Sequence, residues 1–180
     1  MKTALVLFAE GSEELEAVTI VNILRRAGVT VTLAGLSGGA LKGARDITIE
    51  PDTTLEAVLQ DSFDMVVLPG GQPGTRNLQA DSRVLKLVQK MAYQDKYVAA
   101  ICAAPMVLAT AGLLDGKRAT CYPTCLDSYP SVDLQTAAIV EDGHLITSRG
   151  PGTAMDFALL LAERLVGKSK RDEVEAGLVR

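Results

Sequence analysis

The sequence predicts an α/β fold, a mostly parallel sheet covered by helices on both faces. Two observations carry this. Short, continuously apolar runs such as Ala4–Ala9, Met65–Leu68 and Tyr97–Ile101 read as strands buried on both sides. Segments with helical apolar spacing separate them, and alternating strands and helices give a parallel sheet.

Taken in order, Ala4–Ala9 is the first strand. Gly11-Ser12 turns the chain, and a helix begins at Glu13 and Glu14 and runs to about Ala27. Acidic residues in a first turn complement the helix dipole, so both glutamates read as surface charges. Gly28 ends the helix and Val29–Leu33 is the second strand. Short edge strands are expected near Leu41 and at Ile47–Ile49, and a short helix over Leu55–Leu59. Met65–Leu68 closes on Pro69-Gly70-Gly71. Arg83–Tyr93 is helical, with Val84, Leu87, Val88 and Met91 on one face. The strand ending at Ile101 is followed by Cys102 and a helix from Met106 to about Ala111. A strand near Arg118–Cys121, a polar loop through Val132, and a strand pair follow. The pair is Ala137–Val140 and Leu145–Thr147, turning at Asp142-Gly143. Pro151 opens a helix to about Val166, Gly167 closes it, and Arg171–Val179 forms a last amphipathic piece. No linker or repeat divides residues 1–180, which read as one domain.

Size and charge narrow the function. A chain of 180 residues buries roughly 70% of the surface its unfolded form exposes. The net charge is −4, with both signs dispersed, no basic stripe and no Trp, which argues against nucleic acid as a partner. No run approaches membrane-span length and the N-terminus lacks a signal pattern, so a cytoplasmic protein is expected. Three cysteines in a reducing compartment make no disulfide framework.

In parallel sheets, ligands bind beyond the carboxyl ends of the strands. Three loops leave such ends: Glu10–Glu14, Pro69–Gly74 and Cys102–Pro105. Cys102 sits at a strand–turn–helix corner, where unpaired N–H groups favour the thiolate, the reactive form of the thiol. Glu16 falls on the Ile20, Ile23 and Ala27 stripe, the core-facing side of its helix. A carboxyl buried there has a raised pKa and suits proton transfer beside a thiol. The Gly70-Gly71 turn brings backbone N–H groups close to a ligand.

Other constellations are weaker. His144, the only histidine, falls in an expected turn and is a poor base for Cys102. Gly35-Leu-Ser37-Gly-Gly39 matches G-x-S-x-G, but no helix follows the serine. Cys121 and Cys125 lack the further ligands of a metal site.

Four motifs together resemble the ThiJ/PfpI superfamily. They are Ala9-Glu-Gly-Ser-Glu-Glu-Leu-Glu16, Val67-Leu-Pro-Gly-Gly71, Ala99-Ala-Ile-Cys-Ala-Ala-Pro105 and Thr147-Ser-Arg-Gly-Pro-Gly-Thr153. Within it, the chain is most similar to the branch of the parkinsonism-associated protein deglycase and its bacterial relatives. The resemblance implies a flavodoxin-like three-layer sandwich and a homodimer. It implies Cys102 as nucleophile, Glu16 as its hydrogen-bonded proton shuttle, and the backbone N–H groups of Gly71 and Ala103 as oxyanion donors. Gly70, Arg45 and Tyr122 are the implied substrate-binding residues. Tyr122 stands where some relatives have a histidine, and Ala103 where the protease-like branch has one, which disfavours a thiol amidase or protease. The implied activity is glutathione-independent conversion of α-oxoaldehydes to 2-hydroxy acids, or release of early glycation adducts from proteins or nucleotides. It needs no metal or organic cofactor. The alternative is an oxidative-stress sensor or chaperone acting through oxidation of Cys102.

Overall fold

In the first strand, β1 (Thr3–Phe8), side chains alternate between two separate cores. Ala4, Val6 and Phe8 join one buried cluster, and Leu5 and Leu7 join the other, all at 0% exposure. This is why Ala4–Phe8 carries no polar residue, and it places β1 in the middle layer of a three-layer structure. The computed structural model describes residues 1–180.

After β1 come α1 (Glu14–Arg26), β2 (Thr30–Gly35), β3 (Leu41–Lys42), β4 (Thr48–Ile49), β5 (Thr53–Thr54) and α2 (Leu55–Val58). The middle of the chain forms β6 (Met65–Leu68), α3 (Gly74–Ala80), α4 (Ser82–Tyr93), β7 (Tyr97–Ile101) and α5 (Pro105–Thr110). The last third contains β8 (Arg118–Ala119), β9 (Asp133–Leu134), β10 (Ile139–Asp142), β11 (Leu145–Ser148), a 3-10 turn at Pro151–Thr153, α6 (Ala154–Val166) and α7 (Lys168–Ala176).

Seven strands form the main sheet in the order β10-β11-β7-β6-β1-β2-β5. Every neighbouring pair is parallel except β10 with β11, the tight hairpin turning at Gly143. Helices α1 and α6 pack on one face, while α4 and α5 cover the other. The predicted α/β class and flavodoxin-like layering are therefore present. No helix is long and apolar enough to cross a membrane.

Several elements differ from expectation. Helix α3 fills the stretch between the Pro69–Gly74 loop and Arg83, where the sequence pattern assigns no element; only Gly74, Thr75 and Leu78 of it are buried. Beyond Leu78 it offers no repeated apolar face to betray a helix. The polar loop expected through Val132 ends at β9, two residues paired with β8. Strand β10 begins two residues later than expected, and Pro151 opens a 3-10 turn before α6 rather than the helix itself.

Because the central strands are parallel, the loops leaving β1, β6, β7 and β11 gather at one end of the sheet. That end carries Cys102. His144 precedes β11, whose first residue pairs with Val98, so it lies at the opposite end. The separation is about four residues of strand, roughly 13 Å.

Candidate active site

Cys102 follows directly on β7 with φ +63°, a conformation non-glycine residues seldom adopt. Such geometry costs on the order of 1–3 kcal/mol and persists only where neighbours hold it. Two hydrogen bonds do so. The Cys102 N–H donates to the Ser148 carbonyl at 3.0 Å, and its carbonyl accepts from the Tyr122 N–H at 2.8 Å. The side chain is thereby fixed at the floor of a cavity, 8% exposed.

Glu16 approaches from α1. It shares the buried stripe of Ile20, Ile23 and Ala27 and is fully buried. Its Oε2 accepts from the Gly70 N–H at 2.7 Å. Its Oε1 is buried with no hydrogen-bond partner, and the Cys102 thiol lies close enough to interact with the carboxyl. Burial pushes the Glu16 carboxyl up to about 7, against the Gly70 and Cys102 hydrogen bonds, with the Glu13 charge adding to the rise. Burial, and then the Glu16 charge, push the Cys102 thiol up to about 12. The backbone N–H groups of Gly71 and Ala103 act in the other direction by favouring a thiolate. Each charge thus disfavours the other, and the two groups titrate as a coupled pair.

This arrangement has a stability consequence. The folded Glu16 carboxyl titrates near 7 against an ordinary 4.5. The folded state thus favours the protonated form, so its contribution is complete below pH 4.5 and is lost as pH rises through 7. The shift corresponds to about 3 kcal/mol. Denaturant unfolding at pH 5 and pH 8 should show a drop in the wild type that Glu16→Gln lacks.

The glycines of the β6 turn set the spacing. A Cβ on Gly70 would stand 2.6 Å from the Cys102 Cβ and 2.9 Å from the Ala103 nitrogen. Gly71 has φ +83°, and a Cβ there would strike the Glu13 backbone nitrogen. Gly70 sits beneath the cavity rather than on its wall. It is not among the residues lining the cavity; its N–H serves Glu16 and its carbonyl accepts from the Glu13 N–H at 2.9 Å.

The cavity above Cys102 measures about 320 Å³. Glu13, Arg45, Gly71, Gln72, Ala103, Tyr122, Cys125 and Pro151 are among its walls. The structure thus brings Cys102, Gly71, Ala103, Arg45 and Tyr122 to one space, with Glu16 and Gly70 beneath it. A larger depression of about 510 Å³ on α1, lined by Val18, Val21, Asn22, Arg25, Arg26 and Leu33, holds no nucleophile.

Glu13 and Glu14 are corrections to the sequence reading. Neither is a surface charge, at 8% and 3% exposure. Glu13 lines the cavity. The Oε1 of Glu14 accepts from the N–H groups of Arg45 at 2.7 Å and Ile47 at 3.1 Å. Gly43 leaves room for that carboxylate, since a Cβ there would overlap it. Glu14 thus sets the position of the Arg45 loop. Its partners lie more than thirty residues away, beyond any local pattern. Glu14→Ala should destabilise by about 1–3 kcal/mol and raise KM more than it lowers kcat. Thermal denaturation with steady-state kinetics checks both.

Of the other constellations, His144, Ser37 and Cys121 lie outside this cavity, and only Cys125 lines it. His144 is exposed in its turn, its ring edge-on to Tyr97 at 5.0 Å. Ser37 is exposed in a bend with no helix after it. Cys121 and Cys125 have no third residue placed with them to ligate a metal.

Taken together, the fold and site define an α/β protein with a buried carboxyl beside a cysteine on a strand-to-helix elbow. The chain belongs to the DJ-1/PfpI family, whose model matches residues 2–164. It is 49% identical over 183 residues to Protein dj-1beta of Drosophila melanogaster, covering 99% of this chain and 97% of that one. It is 34% identical to the glutathione-independent glyoxalase DJR-1.2 of Caenorhabditis elegans over 177 residues, 96% of this chain and 94% of the relative. The crystal structure of Drosophila DJ-1beta superposes with a TM-score of 0.95 at 47% identity, covering 99% and 97% of the two chains. Oxidized DJ-1 of Toxoplasma gondii gives 0.95 at 34% identity, covering 99% and 98%.

Proposed function

We propose that the protein converts small α-oxoaldehydes such as methylglyoxal and glyoxal to 2-hydroxy acids without glutathione. The observation that carries this is Cys102 at the floor of a cavity sized for a small substrate, with the fully buried Glu16 carboxyl held against it by the Gly70 N–H. The glyoxalase name of the Caenorhabditis relative points the same way.

In this reading, the proton of the Cys102 thiol passes to Glu16 as Cys102 attacks. The thiolate adds to the aldehyde carbon and gives a hemithioacetal. The Gly71 and Ala103 N–H groups stabilise the oxygen that becomes negative. Glu16 protonates it, takes the proton from the former aldehyde carbon, and returns one to the neighbouring carbon of the enediol. Water then hydrolyses the resulting thioester and frees Cys102. Arg45 and Tyr122 line the mouth and contact the rest of the substrate. The same addition and release would free early glycation adducts from proteins or nucleotides. Leu15 and Val18, each 52% exposed on α1 beside Arg25 and Arg26, support the homodimer that the family resemblance implies.

The test is formation of lactate from methylglyoxal and glycolate from glyoxal, without glutathione, by the wild type and Cys102→Ser. The wild type should form both acids and the variant neither. Equal rates would overturn the assignment of Cys102. The coupled pair also predicts that kcat/KM rises with pH to a plateau above about 7, where the Glu16 carboxyl is ionised and can take the thiol proton.

A second reading has its own support. The N–H groups that favour a thiolate at Sγ would equally hold the oxygens of an oxidised Cys102. Oxidation of the cysteine would then be a signal or a chaperone trigger, with aldehyde turnover incidental.

A further inference from the structure

The Cys102 cavity has a second thiol in its wall. Cys125 is half-buried and lines the same 320 Å³ space. Its turn is tied to the elbow by two successive backbone bonds. The Tyr122 N–H donates to the Cys102 carbonyl at 2.8 Å, and the Cys125 N–H donates to the Tyr122 carbonyl at 3.1 Å. Cys121 behaves differently. It is 3% exposed, packs into the core on the α4–α5 side of the sheet, and does not reach the cavity. Of the two remaining cysteines, therefore, only Cys125 opens onto the space above the Cys102 sulfur.

We propose that Cys125 is the resolving thiol of Cys102, closing an intramolecular disulfide across the cavity when peroxide oxidises the site. The proposal rests on Cys102 being the reactive thiol. In the first step the Cys102 sulfur attacks one oxygen of hydrogen peroxide and the O–O bond breaks. The other oxygen leaves as water once protonated, and Cys102 becomes a sulfenic acid. In the second step the Cys125 sulfur attacks Sγ of Cys102 and the S–O bond breaks. The hydroxyl leaves as water with the proton from Cys125. Overall, two thiols lose two hydrogens and one peroxide becomes two waters.

A disulfide needs Cα atoms about 4.4–6.8 Å apart. Tyr122, Pro123 and Thr124 are exposed, and the disulfide requires this turn to carry Cys125 to that separation from Cys102. The consequence is protective. A sulfenic acid with no thiol partner is carried by further peroxide to sulfinic acid, which ordinary thiols do not reduce. A disulfide is reopened by an external thiol, and the cavity regains its nucleophile.

The experiment treats wild type, Cys125→Ser and Cys121→Ser with increasing hydrogen peroxide. Peptide mass mapping follows, then recovery of methylglyoxal turnover in dithiothreitol, normalised to each protein's untreated rate. Wild type and Cys121→Ser should lose two hydrogens, yield a linked Cys102–Cys125 peptide pair and recover with reductant. Cys125→Ser should take up two oxygens at Cys102 and lose its reductant-recoverable activity. Equal sulfinic yields in wild type and Cys125→Ser, or a link joining Cys121 to Cys125, would overturn the proposal. The untreated rates keep the two claims separable. Cys102-dependent turnover without the link removes only the resolving role, whereas absent turnover with an unoxidised Cys102 removes both.

Discussion

Glu16→Gln is expected to lower methylglyoxal turnover by roughly 10²–10⁴-fold, the range that a positioned acid–base group supplies. Glutamine keeps the size of the side chain and an oxygen to accept from Gly70, so the 2.7 Å bond that orients residue 16 has a replacement. What it cannot do is carry a proton. Removing the carboxyl also removes the charge that helps hold the Cys102 thiol near 12. The variant thiol should therefore ionise at lower pH and react at least as readily with a simple alkylating agent such as iodoacetamide. Turnover falling while alkylation persists is the signature of a lost shuttle. A parallel fall in both would mean that Glu16 only shapes the pocket. Stopped-time lactate assays and alkylation rates on the same preparations separate these outcomes.

Gly71→Ala is expected to damage both stability and chemistry. The residue has φ +83°, and the new Cβ would collide with backbone atoms of Ser12 and Glu13. Backbone collisions are not relieved by rotating a side chain. The cost is about 2–4 kcal/mol, combining left-handed strain with overpacking. Any relief would shift the Gly71 N–H that faces the Cys102 sulfur. Loss of one such donor lowers kcat by roughly 10²–10³-fold. Gly39→Ala is the matched control, because Gly39 has φ +80° with no atom near its missing Cβ. It should cost only the backbone strain, about 1 kcal/mol, and leave turnover intact. Thermal melts and kinetics on the two variants test the comparison.

Much of this geometry is legible in the sequence, for reasons particular to each residue. The continuous apolar runs of β1, β6 and β7 have one interpretation, because only strands buried on both faces lack polar positions. Glu16 stands out because a charged residue on the Ile20–Ile23–Ala27 stripe has nowhere to go but inward. Cys102 stands out because an apolar strand ends on it. The illegible parts are those set by distant partners. Glu14 looks like an ordinary first-turn acid until the backbone of Arg45 and Ile47 comes round to meet it. Gly70 and Gly71 look equivalent in sequence, yet the first holds Glu16 and the second lines the cavity. Helix α3 is hidden because its packing needs a glycine against Ser12 rather than an apolar stripe. Cys125 lies in an irregular loop whose course follows from two backbone bonds that no periodicity announces.

The most direct test of the Cys102–Glu16 assignment is to incubate the protein with methylglyoxal in deuterated water without glutathione and follow lactate by NMR. Proton transfer through Glu16 and an enediol predicts lactate from the wild type, with deuterium at C2 in proportion to solvent exchange of the proton on Glu16, and none from Cys102→Ser. Wild-type lactate no greater than the Cys102→Ser background would contradict the enzyme reading. Lactate formed by Glu16→Gln at the wild-type rate would contradict the role of Glu16 as the shuttle.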